Sequence, residues 1–112
     1  MTDNETFIHD HIDTLLARDL DRLMHHYAVD AVLRAGGHEY RGRDAVRAHL
    51  ETALASSPAE SRFEYRLETP TADRVVMIWA LFTEASADPV LRGSDAYVLR
   101  SGRIAEQTVV IG

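Results

Sequence analysis

The sequence predicts an α+β domain, helices first and a mostly antiparallel sheet afterwards. Three observations carry that prediction. Apolar residues recur at helical spacing through the first half, strict polar–apolar alternation begins near Arg62, and Ser101-Gly102-Arg103 joins two apolar runs in the manner of a hairpin. Helices followed by a meander of strands make a two-layer domain, and 112 residues suit a single one spanning 1–112.

The elements follow in order. Ile8, Ile12, Leu15 and Leu16 fall at i, i+4, i+7 and i+8, one apolar stripe of a first helix. Leu20, Leu23, Met24 and Tyr27 continue a second helical run, with Asp19 placed to cap it. A short strand over 31–35 precedes the turn signal Gly36-Gly37. Gly42 then leads into a helix with Val46, Leu50, Ala53 and Leu54 on one face and Asp44 in its first turn. The stretch SSPAES (56–61) breaks it. In FEYRLE (63–68), Phe63, Tyr65 and Leu67 alternate with Glu64, Arg66 and Glu68, a strand with one buried face. Residues 74–84 are apolar on both faces, and strands over 94–100 and 104–111 complete the sheet. A curved sheet over the helices buries one face of Val75–Phe82; a homodimer through the sheet is the simplest cover for the other.

Composition narrows the function classes. A net charge of −6 argues against a nucleic-acid binder that neutralises phosphates, and all 12 basic residues are arginine. With no cysteine, disulfides, thiolate nucleophiles and cysteine metal sites are excluded. No run approaches 18 apolar residues and the start MTDNET is acidic, so the expectation is a cytoplasmic protein with no membrane partner. No metal is expected: on a helix His9 and His11 diverge by about 200°, and His25 and His26 by about 100°. Neither a phosphate-cradling glycine loop nor a serine elbow is present, and no cofactor is implied.

The chemistry-bearing candidates are few. Asp95 falls in phase with Tyr97 and Leu99, so it is either a strand-end residue facing water or an acid held in a pocket. His11 sits about 60° from Ile8 around the first helix, at the margin of the apolar stripe. Trp79 shares a face with Val75, Met77 and Leu81, Tyr65 shares one with Phe63 and Leu67, and Tyr27 closes the second helical run. These aromatics fit a pocket lining and a plain core equally well.

The segments RDLD (18–21), HHYAVDAV (25–32), YRGRDAVR (40–47) and GSDAYVLRSGRI (93–104) resemble, in that order, the NTF2-like superfamily and its SnoaL-like group, which is similar to ketosteroid isomerase. The resemblance implies a cone-shaped fold, helices in the concave face of a curved sheet, an apolar pocket at the open end and dimerisation through the sheet. It implies that His11 stands where ketosteroid isomerases place an oxyanion-hole tyrosine. Asp95 stands where they keep a protonated acid that donates a hydrogen bond; SnoaL-like cyclases are similar in using a sheet aspartate as acid or base. The matching position for the isomerase base is Ala35, which cannot move a proton, and His38 or Glu39 in the next turn would have to approach instead. The implied function is an apolar pocket for a small hydrophobic molecule, in a cofactor-free isomerase or cyclase. His11 and Asp95 would be its acid–base pair, each shifting the other's pKa, and Tyr97, Trp79, Tyr27 and Tyr65 would line the pocket. The alternative is a non-catalytic binding or dimerisation module in which His11 and Asp95 bond to each other or to a ligand. Epoxide hydrolysis ranks lower, because no Asp–Arg–Asp set can be placed.

Overall fold

In the computed structural model, residues 3–57, 61–84 and 86–112 are described. Met1 and Thr2 at the acidic start, and Pro58–Glu60 in the expected helix break, lie outside them. The chain runs α1 (Asp3–Leu16), α2 (Leu20–Met24), β1 (Tyr27–Ala35), β2 (His38–Arg41), α3 (Arg43–Ser56), β3 (Ser61–Thr71), β4 (Arg74–Thr83), β5 (Leu91–Arg100) and β6 (Arg103–Ile111). The strands form one six-stranded sheet in the order β2-β1-β6-β5-β4-β3, antiparallel except where β1 runs parallel to β6.

Local chemistry explains most boundaries. Asp3 and Glu5 sit in the first turn of α1, where the helix dipole favours them. Arg18, at φ 60, turns the chain out of α1, and Asp19 caps α2 by accepting from the Arg22 amide at 3.2 Å. Gly36-Gly37 and Ser101-Gly102 both have positive φ at two consecutive residues, the tight geometry that suits two-residue hairpins.

Two elements differ from the sequence expectation. Tyr27 opens β1 rather than ending α2, because the sheet captures the chain there: Ile104 N–H donates to His26 O at 2.7 Å, and Tyr27 pairs with Ile104. The Arg43 guanidinium holds the Tyr27 carbonyl with two nitrogens, at 2.8 and 3.0 Å. The four-residue β2 was not anticipated; it is mostly exposed and so carries no hydrophobic period.

Register places the interior in rows. Leu33, Gln107, Tyr97 and Val75 lie side by side on the inner face; the next row is Ala35, Val109, Asp95, Met77 and Leu67, and the one beyond it Ile111, Gly93, Trp79 and Tyr65. Ile8, Ile12, Leu23 and Val46 from the helices pack over this face and are fully buried with Leu33, Val75 and Ile104. On the outer face Val76, Ile78, Ala80 and Phe82 of β4 are only half-buried. Among the described residues no helix is long and apolar enough to cross a membrane.

Candidate functional site

Asp95 is the polar centre of the inner face. It is only 8% exposed, and three donors from three strands meet its carboxylate. Trp79 Nε1 donates to Oδ1 at 2.9 Å, Gln107 Nε2 donates to Oδ2 at 2.8 Å, and the Tyr97 hydroxyl lies 3.4 Å from Oδ2. Tyr27 extends the network by donating its hydroxyl to Gln107 Oε1 at 2.5 Å. Burial pushes the Asp95 carboxyl above its ordinary range, while the hydrogen bonds from Trp79, Gln107 and Tyr97 pull it back. Burial also holds both the Tyr27 and Tyr97 hydroxyls protonated, with the Asp95 charge adding to the effect.

Trp79 Nε1 and Gln107 Nε2 can only donate, and these two contacts favour the carboxylate; a protonated Asp95 keeps them by donating from Oδ2 to the Tyr97 hydroxyl oxygen.

The neighbouring glycine has a defined task. Trp79 pairs with Gly93 across β4 and β5. A Cβ on Gly93 would collide with the Val110 carbonyl oxygen and lie 2.7 Å from Trp79 Cζ2. Only glycine lets the indole lie against β5 and reach Asp95. Phe63 stacks on the other side of Trp79, with ring centroids 5.8 Å apart, and Tyr65 lies next to Phe63 at the same separation. These three rings are half-buried and form the open edge of the inner face. Tyr65 is tied to α1 by a 2.7 Å hydrogen bond between its hydroxyl and His9 Nδ1.

His11 is not at a margin. It is 1% exposed, packed edge-on against Tyr27 and Tyr97 at 5.5 and 5.6 Å between ring centroids. The reason is the phase of the stripe: Leu16 is 53% exposed, so the buried face of α1 runs through Ile8, His11 and Ile12. His11 and Asp95 are not hydrogen-bonded to each other; Tyr97 stands between them and touches both. The partner of His11 is instead His26, with the two Nδ1 atoms 2.9 Å apart. Burial first, and His26 second, lower the His11 pKa to about 3; Asp95 is not among the causes, so the expected mutual shift with Asp95 is absent.

Ala35 does share the Asp95 row, with Val109 between them. Neither proposed substitute for the base comes near. Glu39 is exposed and held by Arg34 at 3.2 Å and Arg41 at 2.7 Å, and His38 is exposed at the hairpin tip. That tip borders a small cleft of about 250 Å³. A larger groove, about 730 Å³, is lined by Arg66, Ile78, Ala80, Arg92 and Ser94 of the outer face together with Tyr65, Trp79 and Gly93, though not by Asp95 itself. Among the described residues no three histidine, aspartate or glutamate side chains converge as metal ligands would.

Gln107 and His26 are the site residues that sequence reasoning missed. Gln107 carried a usable signal, an amide in phase with Val109 on an inward strand face. His26 carried none, because its burial depends on β1 beginning one residue later.

A model of the family described as SnoaL-like domain matches residues 8–107. No curated protein matches the chain. Among solved structures, the chain is similar to the epoxide hydrolase/cyclase-like enzyme SalBIII, described for pyran ring formation in the polyether salinomycin. That likeness has a TM-score of 0.78 and 20% identity, over 100% of this chain and 95% of that one. It is similar also to a candidate polyketide cyclase from Sinorhizobium meliloti, at TM-score 0.74 and 19% identity over 94% of each chain. A candidate SnoaL-like polyketide cyclase from Shewanella putrefaciens gives 0.77 and 18%, over 99% of this chain and 80% of that one. At these identities the likeness establishes the shared fold.

Proposed function

We propose that this chain, which belongs to the SnoaL-like domain family, takes a small hydrophobic molecule at the aromatic edge of its inner face and acts on it through the Asp95 carboxylate. The observation that carries the reading is a buried carboxylate bonded directly to a half-exposed indole. A ligand that displaces Trp79 from Asp95 would inherit a desolvated base with its second oxygen still fixed by Gln107 and Tyr97. Proton transfer to and from such a carboxylate supports cofactor-free isomerisation or cyclisation, and the cyclase-like names of the structural neighbours suit that class.

A second reading, a non-catalytic binding module, draws on two observations. Ala35 supplies no second acid–base group in the row, and the chain itself satisfies Asp95.

One experiment separates them. Trp79 is the only tryptophan, so its fluorescence reports on the site when the protein is titrated with polycyclic and polyketide-like ketones. Saturable change is expected. For any compound turned over, Asp95→Asn should lower kcat roughly 10²–10⁴-fold while affinity holds within a few-fold. Binding without turnover supports the module, and no saturable change across the panel overturns both.

The same proposal places a second copy of the chain on the outer face. Two neighbouring pairs, Arg62 with Glu64 and Arg34 with Glu106, are closed within the chain, and the apolar stripe of Val76, Ile78 and Ala80, with Arg92 across from Ala80, is the surface for a partner. Light scattering should give a dimer mass for the wild type and a monomer mass for Ile78→Asp. A monomeric wild type at high micromolar concentration would remove the dimer.

A further inference from the structure

The His11–His26 contact asks which ring owns the proton between them. Two nitrogens 2.9 Å apart hold one hydrogen, and in neutral imidazoles the answer is set at the opposite ends of the rings. His26 Nε2 lies 3.6 Å from Asp10 Oδ2. A bare Nε2 lone pair there would face a carboxylate and be repelled; an N–H would be attracted. Asp10 is itself held in place, because Arg22 on α2 binds its other oxygen at 3.1 Å.

We infer that His26 and Asp10 are positioning residues that lock His11 as a proton acceptor. His26 carries its hydrogen on Nε2, toward Asp10, so its Nδ1 accepts from His11 Nδ1–H. Nε2 is then the His11 nitrogen without a hydrogen, on a ring packed edge-on against Tyr27 and Tyr97. A helix position that would suit a hydrogen-bond donor to an oxyanion is thereby turned into one that suits a hydrogen-bond acceptor.

The surrounding groups keep both rings neutral, which the tautomer argument requires. Burial lowers the pKa of each; around His26, Asp10 from α1 opposes that shift, while Arg22 and the adjacent His25 reinforce it. Phe7 from α1 closes the remaining side, its ring edge-on at 5.3 Å. The inference has a corollary at low pH. A protonated His26 donates from both nitrogens, so His11 Nδ1 must accept and its own hydrogen moves to Nε2. The acceptor becomes a donor.

The inference deepens the acid–base reading of the interior and rests on it for its consequence, yet it is tested without any ligand. Two-bond ¹H–¹⁵N spectra of the labelled protein at pH 7.5 distinguish protonated from bare ring nitrogens. His26→Gln serves to assign the signals. The expected pattern is pyrrole-like Nδ1 and pyridine-like Nε2 for His11, and the reverse for His26. Asp10→Ala, at a half-exposed helical position, should move both rings toward mixed tautomers, with the exposed His38 unchanged. A pyrrole-like His11 Nε2 in the wild type overturns the inference, as do unchanged spectra in Asp10→Ala. If Asp10→Ala fails to fold, the wild-type pattern still decides. A protein that turns over nothing but shows the expected tautomers defeats only the catalytic reading.

Discussion

The unfolding free energy is expected to fall by about 1.4 kcal/mol for each pH unit below 6.5 through His11 alone. The unfolded chain takes up that proton at 6.5, whereas the folded chain refuses it until about 3. Stability from the neutral, buried ring is therefore complete above 6.5 and is lost progressively as pH falls toward the folded value. Across that interval the loss is roughly 5 kcal/mol, comparable with the whole stability of many domains of this size. His26 and His49 are also lowered by burial and add to the slope with the same sign. Asp95 works the other way: its carboxyl is raised, so the folded chain gains a proton first and recovers some stability at the acid end. Urea denaturation at pH 8, 6.5, 5 and 4 measures the curve. His11→Gln retains a polar partner for His26 but cannot titrate. It should cost roughly 1–2 kcal/mol at pH 8 and flatten the acid slope by about one proton. An acid slope identical to that of the wild type would show that His11 is not what acid attacks.

How far the sequence reached follows from what each residue could reveal alone. Alternation in FEYRLE sufficed for β3, and the Asp95–Tyr97–Leu99 phase left Asp95 either facing water or held in a pocket; the structure has all three buried. Helical phase was less secure. Counting Leu16 into the stripe rotated the predicted face of α1 and left His11 at its edge, although Leu16 is exposed and His11 is buried. Tyr27 fitted a helical period by chance; its place in β1 depends on β6, about eighty residues later. The pairings that make the site are of this second kind. Trp79 meets Asp95 because of the β4–β5 register and the missing side chain at Gly93. His11 meets His26 because α1 and the start of β1 converge. Neither contact has a local signal.

Gln107→Glu is expected to be the most damaging single-atom exchange in the interior, and its damage should depend on pH. The amide nitrogen that donates to Asp95 at 2.8 Å becomes an oxygen, which places two carboxylates at hydrogen-bond distance inside the protein. They cannot both ionise there, so the pair must retain one proton, with apparent pKa values that belong to the pair. At pH 8 the folded chain has to hold that proton against solvent or bury two like charges. The expected cost is roughly 3–5 kcal/mol, the range for an uncompensated buried charge. The folded-state pKa of the pair is raised above the unfolded one, so the deficit should be largest at high pH and shrink as pH falls through the raised value. At pH 5 the shared proton restores an O–H donor where Gln107 had an N–H. Tyr27 keeps an oxygen to bond in either case, since it donates to Oε1. Gln107→Leu separates the added acid from the lost donor: without the amide the Asp95 carboxyl rises further, so its cost should also grow with pH, but less steeply than that of Gln107→Glu. Thermal unfolding of both variants between pH 5 and 8 is the measurement. A Gln107→Glu deficit that does not change with pH would mean that Asp95 and the residue at 107 do not share a proton, and the acid–base account of the inner face would fail with it.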